Sequence, residues 1–315
     1  MDRKSAVSTV GYVSLHSIDD RELNCPDPST TPFIVAHEFF DALPIHAFQS
    51  ISALEDQSST TPTPTGNPAL KPGVVSPAAN NPQWREIVVS PSPPRSTHGD
   101  LDPSKFESSN PPPEFQLSLS KLATPHSLYL PEISSRYKAL KAKMGSVIEI
   151  SPESQAYAQE ISRRIGGSSS APRQPSGAAI ILDYGPSDTV PTNSLRGIRD
   201  HQRVHPLGDP GFVDLSADVD FTALAEAALA ASPGVEVHGP VEQGPFLLRM
   251  GIEHRAEQLQ AGSAADEEQN KRIEGAWKRL VDRGGMGKIY KAMAIIPEGG
   301  GNRLPIGFGG EVSPA

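Results

Sequence analysis

The clearest pattern of apolar and polar positions lies between Pro32 and Gln49, PFIVAHEFFDALPIHAFQ. Phe33 to Ala36 are consecutive apolar residues after a proline and predict a short buried strand. His37, Glu38 and Asp41 then interrupt the run before a second apolar stretch begins. The pattern returns far downstream, where Ala178 to Leu182 (AAIIL) runs into Asp183, Tyr184 and Gly185. In open α/β sheets ligands bind outside the carboxyl ends of the strands. Two acid-tipped strands therefore predict one shared, ligand-facing sheet edge.

The remaining periodicities alternate between strand and helix. Trp84 to Val89 (WREIVV) is rich in β-formers and Phe115 to Leu122 (FQLSLSKL) alternates like its partner, which predicts a hairpin. Val147 to Ile150 (VIEI) reads as a strand, Ser151 as an N-cap and Pro152 as the first helical residue. Tyr157, Ile161 and Ile165 then fall on one helical face and Gly166 ends it. Asp220 is a possible cap for a helix whose Phe221, Leu224, Ala225, Ala228 and Leu229 repeat at core spacing up to Pro233 and Gly234. Ile273, Ala276, Trp277, Leu280 and Val281 mark another amphipathic helix closed by Gly284, and Ile289 to Ile296 (IYKAMAII) is a near-continuous apolar strand. With Val235 to Val237 as its partner, the order predicts an α/β sheet ending in a strand pair.

Composition changes this picture in two places. Proline is 32 of the 315 residues, about twice the usual share. Much of it falls in Ser52 to Pro82 and Ser90 to Pro113, which read as solvated insertions around the hairpin. YVSL, Tyr12 to Leu15, is a possible early strand. The 28 Lys and Arg against 37 Asp and Glu leave a net charge of -9, with no basic stripe, so nucleic acid is not an expected partner. Cys25 is the single cysteine, which excludes an internal disulfide and a Cys-x-x-Cys zinc pair. No transmembrane run, signal peptide or convincing mitochondrial presequence is legible.

Each candidate chemical group has an ordinary structural alternative. Glu38 and Asp41 suit a cationic substrate, or Asp41 caps the turn DALP. Asp183, Tyr184 and Gly185 read equally as turn chemistry. Arg196, Arg199, His201 and Arg203 form a cationic cluster that is either anion-binding or simply solvated. His201 and His205 have helical metal spacing, but Pro206 ends any helix there and no metal site is expected. GGMGK, Gly284 to Lys288, fails the phosphate-loop spacing and a strand follows it. The proline-rich PSPPR at Pro91 to Arg95 reads as linker or polyproline ligand. No glycine stands in the strand-to-helix turn where a nucleotide cofactor is usually cradled.

Taken together, VAHEFFDALPIHAFQ, WREIVV, VIEISPES, AAIILDYG, SLRGIRDH, PGFVDLSADVDFTAL, GPVEQGPFLLRMGI and MGKIYKAMAI resemble, in order and spacing, the MidA-like S-adenosylmethionine-dependent methyltransferases. The AHEFFD form resembles the mitochondrial protein arginine methyltransferases that act in complex I assembly. The resemblance runs from about Leu15 to Phe308, apart from the insertions. It implies a partial class I, seven-strand Rossmann-like α/β fold. Phe33 to Ala36 would be the fourth strand, Ala178 to Leu182 the fifth, and the terminal pair the antiparallel sixth and seventh. It divides the chain into residues 1–51 (lead-in and fourth strand), 52–122 (insertion around a β-hairpin) and 123–315 (C-terminal half of the methyltransferase domain).

The resemblance also implies a chemistry. S-adenosyl-L-methionine is the cofactor, a quinone-module subunit of complex I the protein substrate, symmetric dimethylarginine the product, and the mitochondrial matrix the compartment. A protonated guanidinium is held well by carboxylates in bidentate pairs, which makes Glu38, with Asp41 and Asp183, the expected catalytic set. His37, Phe39 and Tyr184 would lie near the cofactor. Arg196, His201, Asp214 and Asp220 match family motifs and are expected on the substrate side. The family's first three strands and glycine-rich cofactor turn have no counterpart here, so an exposed sheet edge is also expected. Three readings follow: an arginine methyltransferase with further sequence upstream, a non-catalytic assembly or binding factor, or an inactive fragment.

Overall fold

The computed structural model describes residues 31–52, 81–92, 113–262, 266–300 and 304–309. The possible strand at Tyr12 to Leu15 and most of both insertions lie outside the described residues. In chain order, β1 (Phe33–His37), β2 (His46–Ser52), β3 (Pro82–Pro91) and β4 (Phe115–Leu119) are followed by the short α1 (Pro125–Tyr129), a 3-10 turn and α2 (Ser135–Lys141). Next come β5 (Val147–Ile150), α3 (Pro152–Gly166), β6 (Ala178–Tyr184), then β7 (Arg196–Arg199), β8 (Gln202–Val204) and β9 (Asp214–Ser216). The chain continues through α4 (Phe221–Ala231), β10 (Val235–Glu242), α5 (Gln243–Arg249), α6 (Ile252–Gly262), α7 (Glu267–Val281), α8 (Met286–Ile289) and β11 (Tyr290–Pro297).

The two acid-tipped strands are neighbours. β1 runs parallel to β6, with Phe33 opposite Ala178 and His37 opposite Leu182. β11 pairs antiparallel to β6 and β10 antiparallel to β11, giving the order β1-β6-β11-β10. One face of this sheet is packed by α3 and α4. Ile161 and Ile165 of the first and Phe221, Leu224 and Ala228 of the second enclose Ile181, Met293 and Ile295, which are fully buried. The helices begin where the sequence predicts: the Ser151 hydroxyl accepts the Ser154 N–H, and an Asp220 oxygen accepts the Ala223 N–H. Leu229 departs from its expected core position and is half exposed. On β1 alternation leaves Phe33 and Val35 78% and 71% exposed, on the outermost strand of the described sheet.

A single sheet does not describe the molecule. Val147 to Ile150 and the apolar run after Asp41 join the predicted hairpin in a second sheet, β4-β3-β2-β5. β2 went unread because a single cross-strand alternation beside a loop is a weak signal. Pairing supplies the stability, through Phe48, Trp84, Ile148 and Ile150 packed with Leu130 and Tyr137. A small third sheet, β8-β7-β9, stands beside the tip of β6. The architecture is mixed α/β. Among the described residues no helix is long and apolar enough to cross a membrane.

Candidate functional site

β1 leaves the sheet at Glu38, whose φ of +49° lies in the left-handed region. For an L-residue that conformation costs about 1–2 kcal/mol, so something must hold it. The Glu38 N–H still donates to the Leu182 carbonyl at 3.0 Å. The bend then aims the next three amides at a single oxygen: Phe39, Phe40 and Asp41 N–H all donate to Asp183 Oδ2, at 3.2, 2.9 and 3.3 Å. Asp183 Oδ1 accepts the Tyr184 N–H at 2.9 Å. The Asp183 side chain is fully buried, and burial together with the Asp41 carboxylate pushes its pKa up to about 7. Asp41 is buried too, its pKa raised chiefly by burial. Its Oδ2 accepts the Ser216 hydroxyl at 2.8 Å and its carbonyl accepts the Ala217 N–H at 2.9 Å. Both aspartates stand behind the turn and fix its shape, tying β1, β6 and β9 together.

Glu38 stands in front of it. The residue is exposed, and the Tyr290 hydroxyl donates a hydrogen bond to Oε1. The β6–β11 register sets Tyr290 opposite Tyr184, with ring centres 4.4 Å apart, and the Tyr184 hydroxyl belongs to the same hydrogen-bonded group. Burial above all raises both phenols well beyond their usual range, so both remain protonated donors. The His37 ring lies nearly parallel to that of Tyr290, 6.4 Å away. On the other side of Tyr184 stands the Arg196 guanidinium, 5.0 Å from the ring centre and 2.6 Å from an Asp218 oxygen. A close backbone approach completes the tip: Val219 N–H donates to the Tyr184 carbonyl at 2.9 Å, and a Cβ at Gly185 would meet the Val219 oxygen at 2.4 Å. The result is an aromatic-walled mouth in which the exposed Glu38, two phenol donors and the Arg196–Asp218 ion pair meet, and the glutamate is the group that suits a planar organic cation.

The predicted residues separate into groups. His37, Glu38, Tyr184 and Arg196 meet at the mouth, and Asp41 and Asp183 support it from behind. Phe39 packs edge-on against Phe40 and Tyr157, at 5.1 and 5.0 Å, in the core beneath the turn. His201 is an exposed residue at the tip of the β7–β8 hairpin with φ of +60°, so the helical spacing to His205 does not apply. Asp214 is exposed on β9. Asp220 caps α4 and binds the Arg136 guanidinium at 3.0 Å and the Tyr137 hydroxyl at 3.1 Å. Sequence reasoning missed Tyr290 and Asp218. For Tyr290 a signal existed: it is the one aromatic in the terminal apolar strand, at the end that antiparallel pairing brings to the tip of β6.

The family model described as "Putative S-adenosyl-L-methionine-dependent methyltransferase" matches residues 9–241. Curated relatives named mitochondrial protein arginine methyltransferase NDUFAF7 are 30% identical in Rattus norvegicus, over 90% of this chain and 49% of that protein, and 27% identical in Homo sapiens, over 93% and 50%. The chain spans about half the length of the curated relatives it matches. A Burkholderia thailandensis crystal structure with bound S-adenosyl-homocysteine superposes with a TM-score of 0.55 at 18% identity, over 91% of this chain and 56% of that one, a likeness of fold.

Proposed function

This chain belongs to that S-adenosyl-L-methionine-dependent methyltransferase family, and on that premise we propose that it carries the arginine-gripping side of a mitochondrial protein arginine methyltransferase. The observation that carries the reading is Glu38: an accessible carboxylate, held in a left-handed conformation and oriented by the Tyr290 hydroxyl, at the carboxyl end of two parallel strands. The finer reading extends to a partial class I methyltransferase sheet, to symmetric dimethylation of an arginine on a complex I subunit, and to the mitochondrion, the compartment in the relatives' names.

The chain's own residues supply positioning. Glu38 accepts two N–H groups of the substrate guanidinium, which fixes its plane and leaves one terminal nitrogen facing the methyl donor. Tyr290 and Tyr184 keep the carboxylate from rotating, and alignment of this kind supplies much of the rate of a displacement at a methyl carbon. When bound, S-adenosyl-L-methionine supplies an electrophilic methyl group on a sulfonium. Held in this way, the free terminal nitrogen would be the methyl acceptor, and the proton it gives up would pass to water or to the Glu38 carboxylate. The aromatic-walled mouth with its exposed glutamate fits the cationic side of such a donor. Among the described residues no glycine-rich turn stands beside it, and what they contribute is the wall that holds the methyl acceptor.

The test is Glu38→Gln in the endogenous full-length protein, with methyl transfer to arginine followed by mass spectrometry and cofactor binding by calorimetry. Transfer should fall by about 100-fold or more while cofactor binding is kept, because the neutral amide offers one acceptor in place of two. Unchanged turnover would remove Glu38 from the mechanism. A wild-type protein that binds no S-adenosyl-L-methionine would favour the binding-factor reading.

A further inference from the structure

A second cluster of ligating side chains lies away from this mouth, where the second sheet meets α1. His46 at the start of β2, Glu86 in the middle of β3 and His126 in the first turn of α1 converge so that one ligating atom from each lies within 4.8 Å of the others. His46 Nδ1 is 2.8 Å and His126 Nδ1 3.5 Å from the same oxygen, Glu86 Oε1, and the two imidazole centres are 4.2 Å apart. The residues are 40 apart in each step along the chain, so no sequence spacing announces them.

The cluster is built rather than incidental. The Thr124 hydroxyl donates to the other carboxylate oxygen, Glu86 Oε2, at 2.5 Å, which turns Oε1 toward the two rings. The same hydroxyl caps α1 by accepting the Ser127 N–H at 3.0 Å, and the Ser127 hydroxyl answers to the Thr124 backbone. One threonine thus fixes both the carboxylate and the helical turn bearing His126. Glu86 is nearly enclosed, with 10% of its side chain exposed, His46 has 24% and His126 55%, so the group opens to solvent on the His126 side.

We propose that His46, Glu86 and His126 form a binding site for a divalent first-row transition ion of the zinc class. Two imidazole nitrogens and one carboxylate oxygen, with an open fourth position, are the donor set of three-ligand zinc sites. Around an ion with ligand bonds of about 2.0–2.1 Å, tetrahedral ligand atoms stand roughly 3.4 Å apart. The two nitrogen-to-oxygen separations, 2.8 and 3.5 Å, bracket that spacing. Binding needs both Nδ1 lone pairs turned inward, with the ring protons carried on Nε2. A bound ion would clamp α1 to β2 and β3, and the Thr124 hydroxyl would hold the carboxylate to it.

The test uses the full 315-residue chain, stripped with a chelator and titrated with Zn²⁺ against a chromophoric competitor, and separately with Co²⁺ to read the visible absorption of a low-coordinate site. One equivalent should bind. His126→Ala removes a largely exposed ring and leaves the fold intact by circular dichroism. It should weaken binding by at least the roughly 10–100-fold that loss of a supporting group alone costs, and Thr124→Val by about 10-fold. A wild-type chain that retains no stoichiometric ion overturns the proposal and leaves a hydrogen-bonded strut. Equal affinity in His126→Ala also overturns it, by moving the ion elsewhere on the chain.

Discussion

Two acids end two neighbouring parallel strands, and they have opposite fates. His37 is in register with Leu182, so a straight continuation would set Glu38 level with Asp183. The chain instead turns left-handed at Glu38, which sends that carboxylate to solvent and wraps the following amides around the other. Asp183 lies on a strand flanked on both sides, and its oxygens are consumed by backbone N–H groups. Glu38 ends a strand at the sheet's outer side, and its oxygen meets a phenol. The same local text, apolar run then acid, yields a buried support and an exposed carboxylate. The difference is whether neighbouring backbone donors converge on the carboxylate. The support shapes the exposed acid's setting, because the amides held by Asp183 define the bend that aims Glu38.

The comparison breaks most severely at the buried member. Asp183→Ala strips the acceptor from four amides, and at about 1–3 kcal/mol for each group left unsatisfied the loss should be at least about 4 kcal/mol, read as a lower urea midpoint. An equal loss from Glu38→Ala would show that the two acids are not specialised. A pH titration of stability sharpens the contrast. The folded chain holds a proton on Asp183 up to about pH 7, whereas an unfolded aspartate releases it near about 3.9. Between these values the native state binds more protons than the unfolded state, so the Asp183 contribution falls as pH rises from about 4 to 7 and is level above that. Burial raises Asp41 as well, which adds to the same slope. Subtracting the profile of Asp183→Asn from that of the wild type should remove the Asp183 part. A flat difference across this window would mean that the carboxylate is ionised throughout in the folded chain.

Much of the first sheet was legible because each of its pieces is a local signal: β1 and β6 as apolar runs, α3 and α4 by their caps, β11 by length and continuity. Their adjacency followed from the shared acid tips. In the second sheet β3, β4 and β5 were each legible as strands, whereas β2 was not, nor was the joining of β2 and β5 to the hairpin, which rests on Phe48, Ile148 and Ile150 packing together. At the site, residue types were readable but orientations were not. Nothing in the text EFFD separates the acid that faces solvent from the aspartate behind it, because that depends on one positive φ. Tyr290 entered from a strand 252 residues away, and Thr124 joins His126 to Glu86 only after the insertion has folded back onto β2.

The smallest expected effect tests the turn itself. Glu38→Gly and Glu38→Ala both delete the carboxylate and its bond from Tyr290, so under the proposed function both should lose methyl transfer to the same extent. They differ in backbone cost. Alanine keeps the penalty of a left-handed L-residue, about 1–2 kcal/mol, while glycine escapes it and gives back roughly 0.5–1 kcal/mol in the greater freedom of its unfolded chain. The glycine variant should therefore be the more stable by about 0.5–1 kcal/mol. At the roughly 2–4 °C per kcal/mol expected for a domain of this size, that is a small but measurable gap in Tm. Equal stability of the two would mean that residue 38 is not held left-handed in solution. The Asp183 clamp would then not be what aims Glu38, and the division of labour between the two acids would lose its geometric basis.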